Sequence, residues 1–202
     1  VEINYSLEFK NSTDYIYVKT SADWIYSIDT KTDGVVELGV ATNTTKALRY
    51  LDDVVSGKIN RSKLMIKACD NSLNDLMTSL NTANSRWKYD PVRAEKPCFF
   101  IETFKHVKGK WADSYIILEP WQCDILCNLF GWIDRDSELR RYIESYLEIP
   151  RKNGKTVTAA GSALYMLFGD GEHGAEVYCG AKSKQQAFEV FSPARLMVKR
   201  NI

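Results

Sequence analysis

The chain has 202 residues, of which 45% are hydrophobic and 26% are charged, a composition typical of a globular protein with one sizeable core or two small ones. Its 27 basic and 26 acidic residues give a net charge of +1, which excludes a global basic field, so any nucleic-acid contact must be local or shared between subunits. No apolar stretch has the length of a membrane span, and five cysteines without zinc-ligand spacing predict reduced thiols in a soluble, cytosolic protein.

Residues 1–40 predict a small β-rich extension. Residues 3–9 alternate apolar and polar side chains, and residues 15–19, 24–28 and 35–40 are further short runs of β-prone residues separated by turn residues. The sequence assigns no function to this extension, and we interpret it as an appended packing or oligomerisation element.

From residue 43 the apolar residues recur at helical spacing. The pattern predicts one helix that is capped by Asn43 or Thr44 and ends at Gly57, and a second helix over residues 61–80. A third helix is predicted to start at Asp90-Pro91 and to end near residue 107, with Pro97 inside it. Residues 41–114 therefore predict a helical subdomain.

A short strand at residues 115–118 is predicted to lead into a helix that has Pro120 in its first turn. Gln122, near the start of this helix, is either a polar surface residue or a residue that recognises adenine, because an amide offers one donor and one acceptor to the base edge. Cys123 and Cys127 lie on one face of the same helix and are interpreted as packing residues.

Residues 143–149 alternate as a strand does, and residues 156–168 have the spacing of an apolar helix. The segment P-R-K-N-G-K-T (150–156) between them ends like a phosphate-binding loop, although Ile149 stands where the usual pattern has a glycine. A strand that enters a helix through such a loop directs backbone N–H groups and the positive helix end at one spot, which attracts a polyphosphate.

In this interpretation Lys155 reaches the β- and γ-phosphates of ATP, the Thr156 hydroxyl ligates Mg²⁺, and Gly154 lets the backbone approach the phosphates. The alternative is a basic surface turn. One face of the predicted strand carries Tyr142, Glu144, Tyr146 and Glu148, which is unusual for a central parallel strand. Either the tyrosines on that face meet the helical subdomain or the strand lies near an edge of its sheet.

A second strand at residues 175–181 and a helix from Ser183, with Gln186 at capping-box spacing, complete a strand-helix-strand-helix order. This order predicts an α/β fold of the P-loop NTPase class, a partial parallel sheet with flanking helices, over residues 115–202.

Six segments occur in the order and roughly the spacing of one known family. By these segments residues 41–200 resemble the amino-terminal ATPase part of the large terminase subunit of tailed double-stranded DNA phages, in the lineage that includes phage HK97. The segments are L-D-D-V-V-S-G-K-I (51–59), L-E-P-W-Q (118–122), L-F-G-W (129–132), P-R-K-N-G-K-T (150–156), A-L-Y-M-L (163–167) and E-V-Y-C-G-A-K-S-K-Q-Q-A (176–187).

The resemblance implies a motor that hydrolyses ATP with Mg²⁺ and moves double-stranded DNA through a portal protein into a procapsid. It also implies a small terminase subunit as a partner, a homo-oligomeric ring during packaging, no membrane, and the cytoplasm of the bacterial host as the location.

Carried over residue by residue, the resemblance makes Gln122 the adenine contact and Arg151 the arginine that senses or stabilises the γ-phosphate. Lys152 and Asn153 would shape the loop. The alternative for Arg151 is an ion pair with Glu148.

The chain also departs from the family. No apolar run ending in Asp-Glu follows the loop, so the second Mg²⁺-binding carboxylate and the catalytic glutamate are missing, as is the acidic cluster of the family's nuclease domain. Because the chain starts at Val1 rather than Met, we interpret it as an excerpt of a longer protein, inactive alone, whose full length is also an endonuclease. The alternatives are another P-loop nucleic-acid motor, such as a helicase or restriction translocase, or a truncated, non-catalytic binding or assembly module.

Overall fold

The computed structural model describes residues 5–10, 15–20, 24–29, 42–82 and 84–200. The described elements are, in chain order, β1 (Tyr5–Lys10), β2 (Tyr15–Thr20), β3 (Trp24–Asp29), α1 (Thr42–Val55), α2 (Lys63–Asn81), β4 (Trp87–Tyr89), α3 (Pro91–Glu102), α4 (Pro120–Gly131), β5 (Trp132–Asp134), α5 (Lys155–Phe168) and α6 (Lys184–Arg200). Within these residues, no helix is both long enough and apolar enough to cross a membrane.

Strands β1, β2 and β3 form an antiparallel sheet in that order. Glu8 pairs with Tyr17, which pairs with Ser27 on the other side. The three strands occupy three of the four runs predicted to be β-prone. The fourth predicted run, residues 35–40, lies outside the described residues.

The chain divides into two compact units, and each is considered by itself. Unit 1 contains the chain up to Glu95 together with Glu119–Ile143. Unit 2 contains Lys96–Leu118 together with the chain from Glu144 onwards. The domain boundaries predicted from the sequence, 1–40, 41–114 and 115–202, remain a prediction.

Unit 1 has a helical core. Leu48, Leu51 and Val54 lie on one face of α1 and are buried with Leu76 of α2 and Trp132 of β5. Their spacing follows the helical period, and burial of each large apolar side chain contributes roughly 1.5–3 kcal/mol. The hydrophobic pattern therefore predicted the buried face of α1 and Leu76 of α2, but Leu64 and Met65, which the same pattern placed on the apolar face of the second helix, are exposed.

The start of α1 differs from the prediction that Asn43 or Thr44 caps it. Both residues lie inside the first turn and are buried. Their backbone N–H groups donate to the carboxylate of Glu95 on α3, at 3.2 Å from Asn43 and 2.8 Å from Thr44, and the Thr44 hydroxyl donates to it at 3.0 Å. A carboxylate suits this position because the first N–H groups of a helix lack intrahelical acceptors and carry its positive end. Helix α3 starts as predicted, with the Asp90 carboxylate accepting from the N–H groups of Val92 and Arg93.

Unit 1 also contains a two-stranded antiparallel sheet that the sequence did not predict. Strand β4 pairs with β5, and the rings of Tyr89 and Trp132 meet edge to face at a centroid distance of 5.3 Å. Gly131 precedes β5 where space is tight, because a Cβ there would lie 2.7 Å from the Cβ of Ala94.

Unit 2 is held together by α5, α6 and the last turns of α3. Helices α5 and α6 pack against each other, and Ala160 and Met197 are fully buried. Gly161 lets α5 approach α3 closely, since a Cβ at this position would lie 2.7 Å from Cγ1 of Ile101. Both helices lie where the sequence predicts them, and the Ser183 hydroxyl accepts from the N–H of Gln186 at 3.3 Å, as predicted for the start of α6.

The predicted parallel sheet is absent from the described residues. Residues 143–149 and 175–181 form no strand, and Ile143, Tyr146 and Tyr178 are 90%, 89% and 83% exposed. The predicted strand at 115–118 is reduced to a single bridge between Lys105 and Tyr115. A strand is stable only when neighbours satisfy its backbone, and no neighbouring strand flanks these segments in the described part of the chain. The structure is thus a mixed helix and strand fold whose small sheets do not establish a P-loop NTPase core.

We expect Glu95→Ala to lower the free energy of unfolding by about 1–3 kcal/mol, because it leaves buried donors of α1 without their acceptor. Glu95→Gln retains one acceptor oxygen, so its free energy of unfolding should lie between those of Glu95→Ala and the wild type. Glu189→Ala is the matched control, because Glu189 is exposed on α6, and it should change stability by less than about 0.5 kcal/mol. Urea unfolding measures all three, and equal stability of Glu95→Ala and Glu189→Ala would contradict this account of the α1 start.

Candidate functional site

The segment before α5 has an unusual backbone. Lys152 has φ 71° and Gly154 has φ 73°, both in the left-handed region, and the φ of Asn153 between them is negative. Left-handed residues next to residues of ordinary handedness form concavities of backbone N–H groups that bind anions. Lys152 holds this conformation at a cost of roughly 1–2 kcal/mol, because it is not glycine.

Helix α5 begins without a side-chain cap. Its N-cap residue is Gly154, whose carbonyl accepts from the N–H and hydroxyl of Thr158 at 3.0 and 3.3 Å. Gly154 has no side chain to offer the N–H groups of Lys155, Thr156 and Val157, and none of these three finds an acceptor in the described part of the chain.

In each of the other described helices of the core, a side chain satisfies at least one N–H group of the first turn. Glu95 serves α1, Ser62 serves α2, Asp90 serves α3 and Ser183 serves α6. Glu119 and Gln122 form a capping box at the start of α4. The first N–H groups of α5 and the positive end of its dipole therefore remain open to solvent or to an external anion.

The loop is held by its own side chains. The ammonium Nζ of Lys155 donates to the carbonyl oxygen of Ile149, the residue before the loop, at 3.1 Å and so closes the loop across its two ends. The side-chain amide of Asn153 donates to the carbonyl oxygens of Pro150 and Arg151 at 3.3 and 3.4 Å. These bonds fold the loop while Lys155 itself remains exposed.

Arg151 and Lys152 are exposed, and no carboxylate of the described residues lies within ion-pair distance of either. The alternative in which Arg151 pairs with Glu148 is therefore not realised, and the Glu148 carboxylate instead accepts from the hydroxyl of Tyr146 at 3.5 Å. Thr156 is partly buried in the first turn of α5, and its hydroxyl has no hydrogen-bond partner among the residues described. The loop thus brings three cationic side chains and one hydroxyl into a single short segment.

Gln122 has a structural role at the start of α4. Its side chain is 7% exposed, and its Oε1 accepts from the backbone N–H of Glu119 at 2.9 Å. The spacing of Glu119 and Gln122 is that of a capping box, so the sequence itself carries a signal for this structural role. Gln122 belongs to unit 1 and the loop to unit 2, and an adenine contact by Gln122 remains a prediction.

Cys123 and Cys127 are buried on α4, as expected for packing residues. The Cys123 thiol lies 3.6 Å from Oδ1 of Asn43, and the Cys127 thiol lies 3.6 Å from the carbonyl of Ala94. Among the described residues no three or more His, Cys, Asp or Glu side chains group into a metal site. The loop is therefore the strongest candidate for a functional site in the described part of the chain.

Comparisons with known proteins bear on the same segment. Residues 120–202 match the family model described as the terminase large subunit, ATPase domain. Over 112 residues the chain is 35% identical to the large terminase subunit of Enterobacteria phage HK97, an alignment that covers 54% of this chain and 21% of the phage protein. No solved structure matches. The resemblance predicted from the six sequence segments is confirmed, and the chain spans about a fifth of the length of this curated relative.

Asp124 on α4 gives a prediction of pH dependence. Burial raises the pKa of its carboxyl to about 7 from an ordinary value of 3.8, and a hydrogen bond from Asn128 at 2.7 Å opposes the rise. The folded chain therefore binds this proton more tightly than the unfolded chain does. The resulting stability is fully present below pH 3.8 and is lost as the pH rises through about 7.

We expect the wild type to lose about 2–3 kcal/mol of unfolding free energy, relative to Asp124→Asn, between about pH 5 and pH 8. Asparagine keeps an oxygen that accepts the bond from Asn128 but cannot ionise. Urea unfolding of both proteins at the two pH values measures the difference, and parallel pH profiles would contradict the raised pKa of Asp124.

Proposed function

From the match of residues 120–202 to the terminase ATPase domain, we propose that this chain is the ATP-binding portion of a viral DNA-packaging motor. The motor couples ATP hydrolysis to translocation of double-stranded DNA into a procapsid. The loop of residues 150–156 holds the triphosphate of the nucleotide.

The observation that carries this proposal is the uncapped start of α5 behind two left-handed residues. The three N–H groups of the first turn and the concavity at Lys152 and Gly154 offer donors to a single anion. A triphosphate supplies the acceptors that the chain does not.

The side chains of the loop have different roles in binding the nucleotide. Lys155 exchanges the Ile149 carbonyl for a phosphate oxygen, an exchange that is favourable because the ammonium then pairs with a full negative charge instead of a carbonyl dipole. Arg151 is exposed and without a carboxylate partner, so it remains available to the γ-phosphate. Asn153 keeps the loop folded, and Gly154 leaves room for the phosphates.

The residues present also fit Mg²⁺. The Thr156 hydroxyl is an oxygen ligand of the kind that Mg²⁺ prefers, and it makes no competing hydrogen bond among the described residues. When bound, Mg²⁺ neutralises charge on the phosphate oxygens. Thr156 would hold the ion at the first turn of α5, and Gln122 would contact adenine.

Hydrolysis needs groups that the described residues lack, because they contain neither a cluster of carboxylates nor a parallel sheet. We propose that other segments of the full-length protein supply the catalytic glutamate, the partner strands and the nuclease. Residues 143–149 and 175–181 are suited to such pairing. In each a tyrosine hydroxyl bonds the carboxylate two residues away, Tyr146 to Glu148 and Tyr178 to Glu176, which is the side-chain alternation of a strand.

The remaining assignments follow from the same proposal. The partners are double-stranded DNA, a portal protein and a small terminase subunit, and the motor is a homo-oligomeric ring in the cytoplasm of a bacterial host. Residues 1–40 form an extension to a helical subdomain (41–114) and to the first part of the ATPase core (115–202). Alone, this chain binds Mg-ATP weakly and hydrolyses it poorly or not at all.

We expect Lys155→Ala to weaken ATP binding by about 10- to 100-fold, because a hydrogen bond to a charged group is worth about 1.5–3 kcal/mol. Lys184→Ala is the matched control, since Lys184 is the first residue of α6 as Lys155 is of α5, and both are exposed. Isothermal titration with ATP and Mg²⁺ measures the affinities. If both variants bind like the wild type, the loop does not hold the triphosphate.

Two substitutions of Lys152 distinguish the effect of the loop conformation on ATP binding from the effect of the loop charge. Lys152→Gly and Lys152→Ala both remove the ammonium group, but only glycine adopts a left-handed φ without strain. We expect Lys152→Gly to bind ATP about 5- to 10-fold more tightly than Lys152→Ala, because alanine pays roughly 1 kcal/mol or more at this φ. The same titration compares them, and tighter binding by Lys152→Ala would show that the bound loop does not keep this conformation.

A further inference from the structure

A second feature of unit 2 is a hairpin of residues 104–116, here called the basic hairpin. The N–H of Ile116 donates to the carbonyl of Phe104 at 2.9 Å, and the N–H of His106 donates to the carbonyl of Ser114 at 2.8 Å. The base of the hairpin is buried at Phe104 and Ile116.

The tip of the hairpin projects into solvent. Lys108, Gly109, Lys110 and Trp111 are all exposed, and Trp111 is 60% exposed. Gly109 has φ 84°, with no atom near the position of a Cβ, so it serves the turn and not packing. A large exposed aromatic side chain beside lysines at a loop tip indicates a contact surface.

The charge of the hairpin is unbalanced although the whole chain is nearly neutral. Lys105, Lys108 and Lys110 face no carboxylate within ion-pair distance among the described residues. The acidic side chain of the hairpin, Asp113, is already occupied, because Arg200 of α6 donates to it at 2.9 Å. The three ammonium groups are therefore available to an external polyanion.

Two of these three ammonium groups lie over aromatic rings. The Nζ of Lys110 lies 4.6 Å from the centroid of the Trp111 ring, and the Nζ of Lys105 lies 5.4 Å from that of Tyr115. One face of each ring is thus covered by a cation, which favours contact with phosphates over stacking of unpaired bases on the rings.

The hairpin is fixed to the unit that carries the phosphate-binding loop. Arg200 also donates to the carbonyl of His106 at 3.3 Å, which ties the hairpin to the end of α6. On the other side Phe100 of α3 contacts Phe104 at the hairpin base and Tyr165 of α5, with ring centroids 5.2 and 5.7 Å apart. A ligand that binds the hairpin therefore binds the same packed unit that includes α5.

We propose that the basic hairpin binds the sugar-phosphate backbone of double-stranded DNA through Lys105, Lys108 and Lys110. This inference rests on the proposed function for its choice of polyanion and adds the residues that grip the DNA. Contacts of this kind are independent of sequence, and they suit a protein that must move along any duplex.

The test is the affinity of the whole chain for a fluorescent duplex of random sequence, measured by anisotropy over a range of salt concentrations. The variant Lys105→Gln/Lys108→Gln/Lys110→Gln should lose about tenfold or more in affinity at low salt. The slope of log affinity against log salt should flatten by about 2–3, because each phosphate contact contributes about 0.9.

The matched control is Lys63→Gln/Lys67→Gln/Lys88→Gln, which removes the same charge from exposed lysines of unit 1. Its affinity for duplex DNA should lie within about twofold of that of the wild type if the hairpin lysines, and not the net charge, determine binding. Equal losses in the two triple variants, or an unchanged salt slope in the hairpin variant, would overturn the proposal. Tighter binding of single-stranded DNA that Trp111→Ala abolishes would also overturn it, in favour of base stacking.

ATP binding separates this inference from the proposed function. The hairpin variant should bind ATP like the wild type, and Lys155→Ala should bind duplex DNA like the wild type. If only the hairpin variant loses DNA binding, the hairpin assignment is supported. This holds even if Lys155→Ala still binds ATP and the role of the loop is thereby refuted. Unchanged DNA binding in the hairpin variant refutes the assignment even if the phosphate-binding loop is correct.

Discussion

The bond between the Lys155 ammonium and the Ile149 carbonyl, 3.1 Å long, closes the loop on which the rest of the site depends. It joins Lys155 to the residue that precedes the loop, and Gly154 starts α5 without a side-chain cap. The free donors of an exposed helix start are satisfied by water or by a bound group. In the proposed function an anion satisfies these donors, and the three cationic side chains of the loop add positive charge beside them.

The body behind the loop explains how such an exposed segment keeps its shape. Gly161 allows α5 to pack directly on Ile101 of α3, and α5 also packs against α6, in which Met197 is buried. Phe100 links the same helix to the base of the basic hairpin. Unit 2 thus joins the loop and the hairpin in one packed body, which is the arrangement a motor needs if one part binds a nucleotide and another binds DNA.

Local signals in the sequence predicted the helices well, because Pro120, Gly154 and Ser183 each mark a helix start within a few residues. Signals that depend on distant partners failed. The cap of α1 comes from Glu95, which lies 51 residues beyond Thr44 and has no local signature. Residues 143–149 alternate like a strand, yet alternation cannot supply the neighbouring strands that hydrogen bonding requires. The sequence also did not predict the left-handed backbone of Lys152, because glycine is the residue that usually indicates a positive φ.

The central claim is that the first N–H groups of α5 bind a nucleotide's phosphates. The most direct measurement is a two-dimensional ¹H–¹⁵N spectrum of the whole chain during titration with ATP and with inorganic triphosphate. The account predicts that both ligands shift the amide resonances of Gly154, Lys155, Thr156 and Val157 more than those at the starts of α2 and α6. Unshifted α5 amides, with saturable changes elsewhere in the chain, would contradict it.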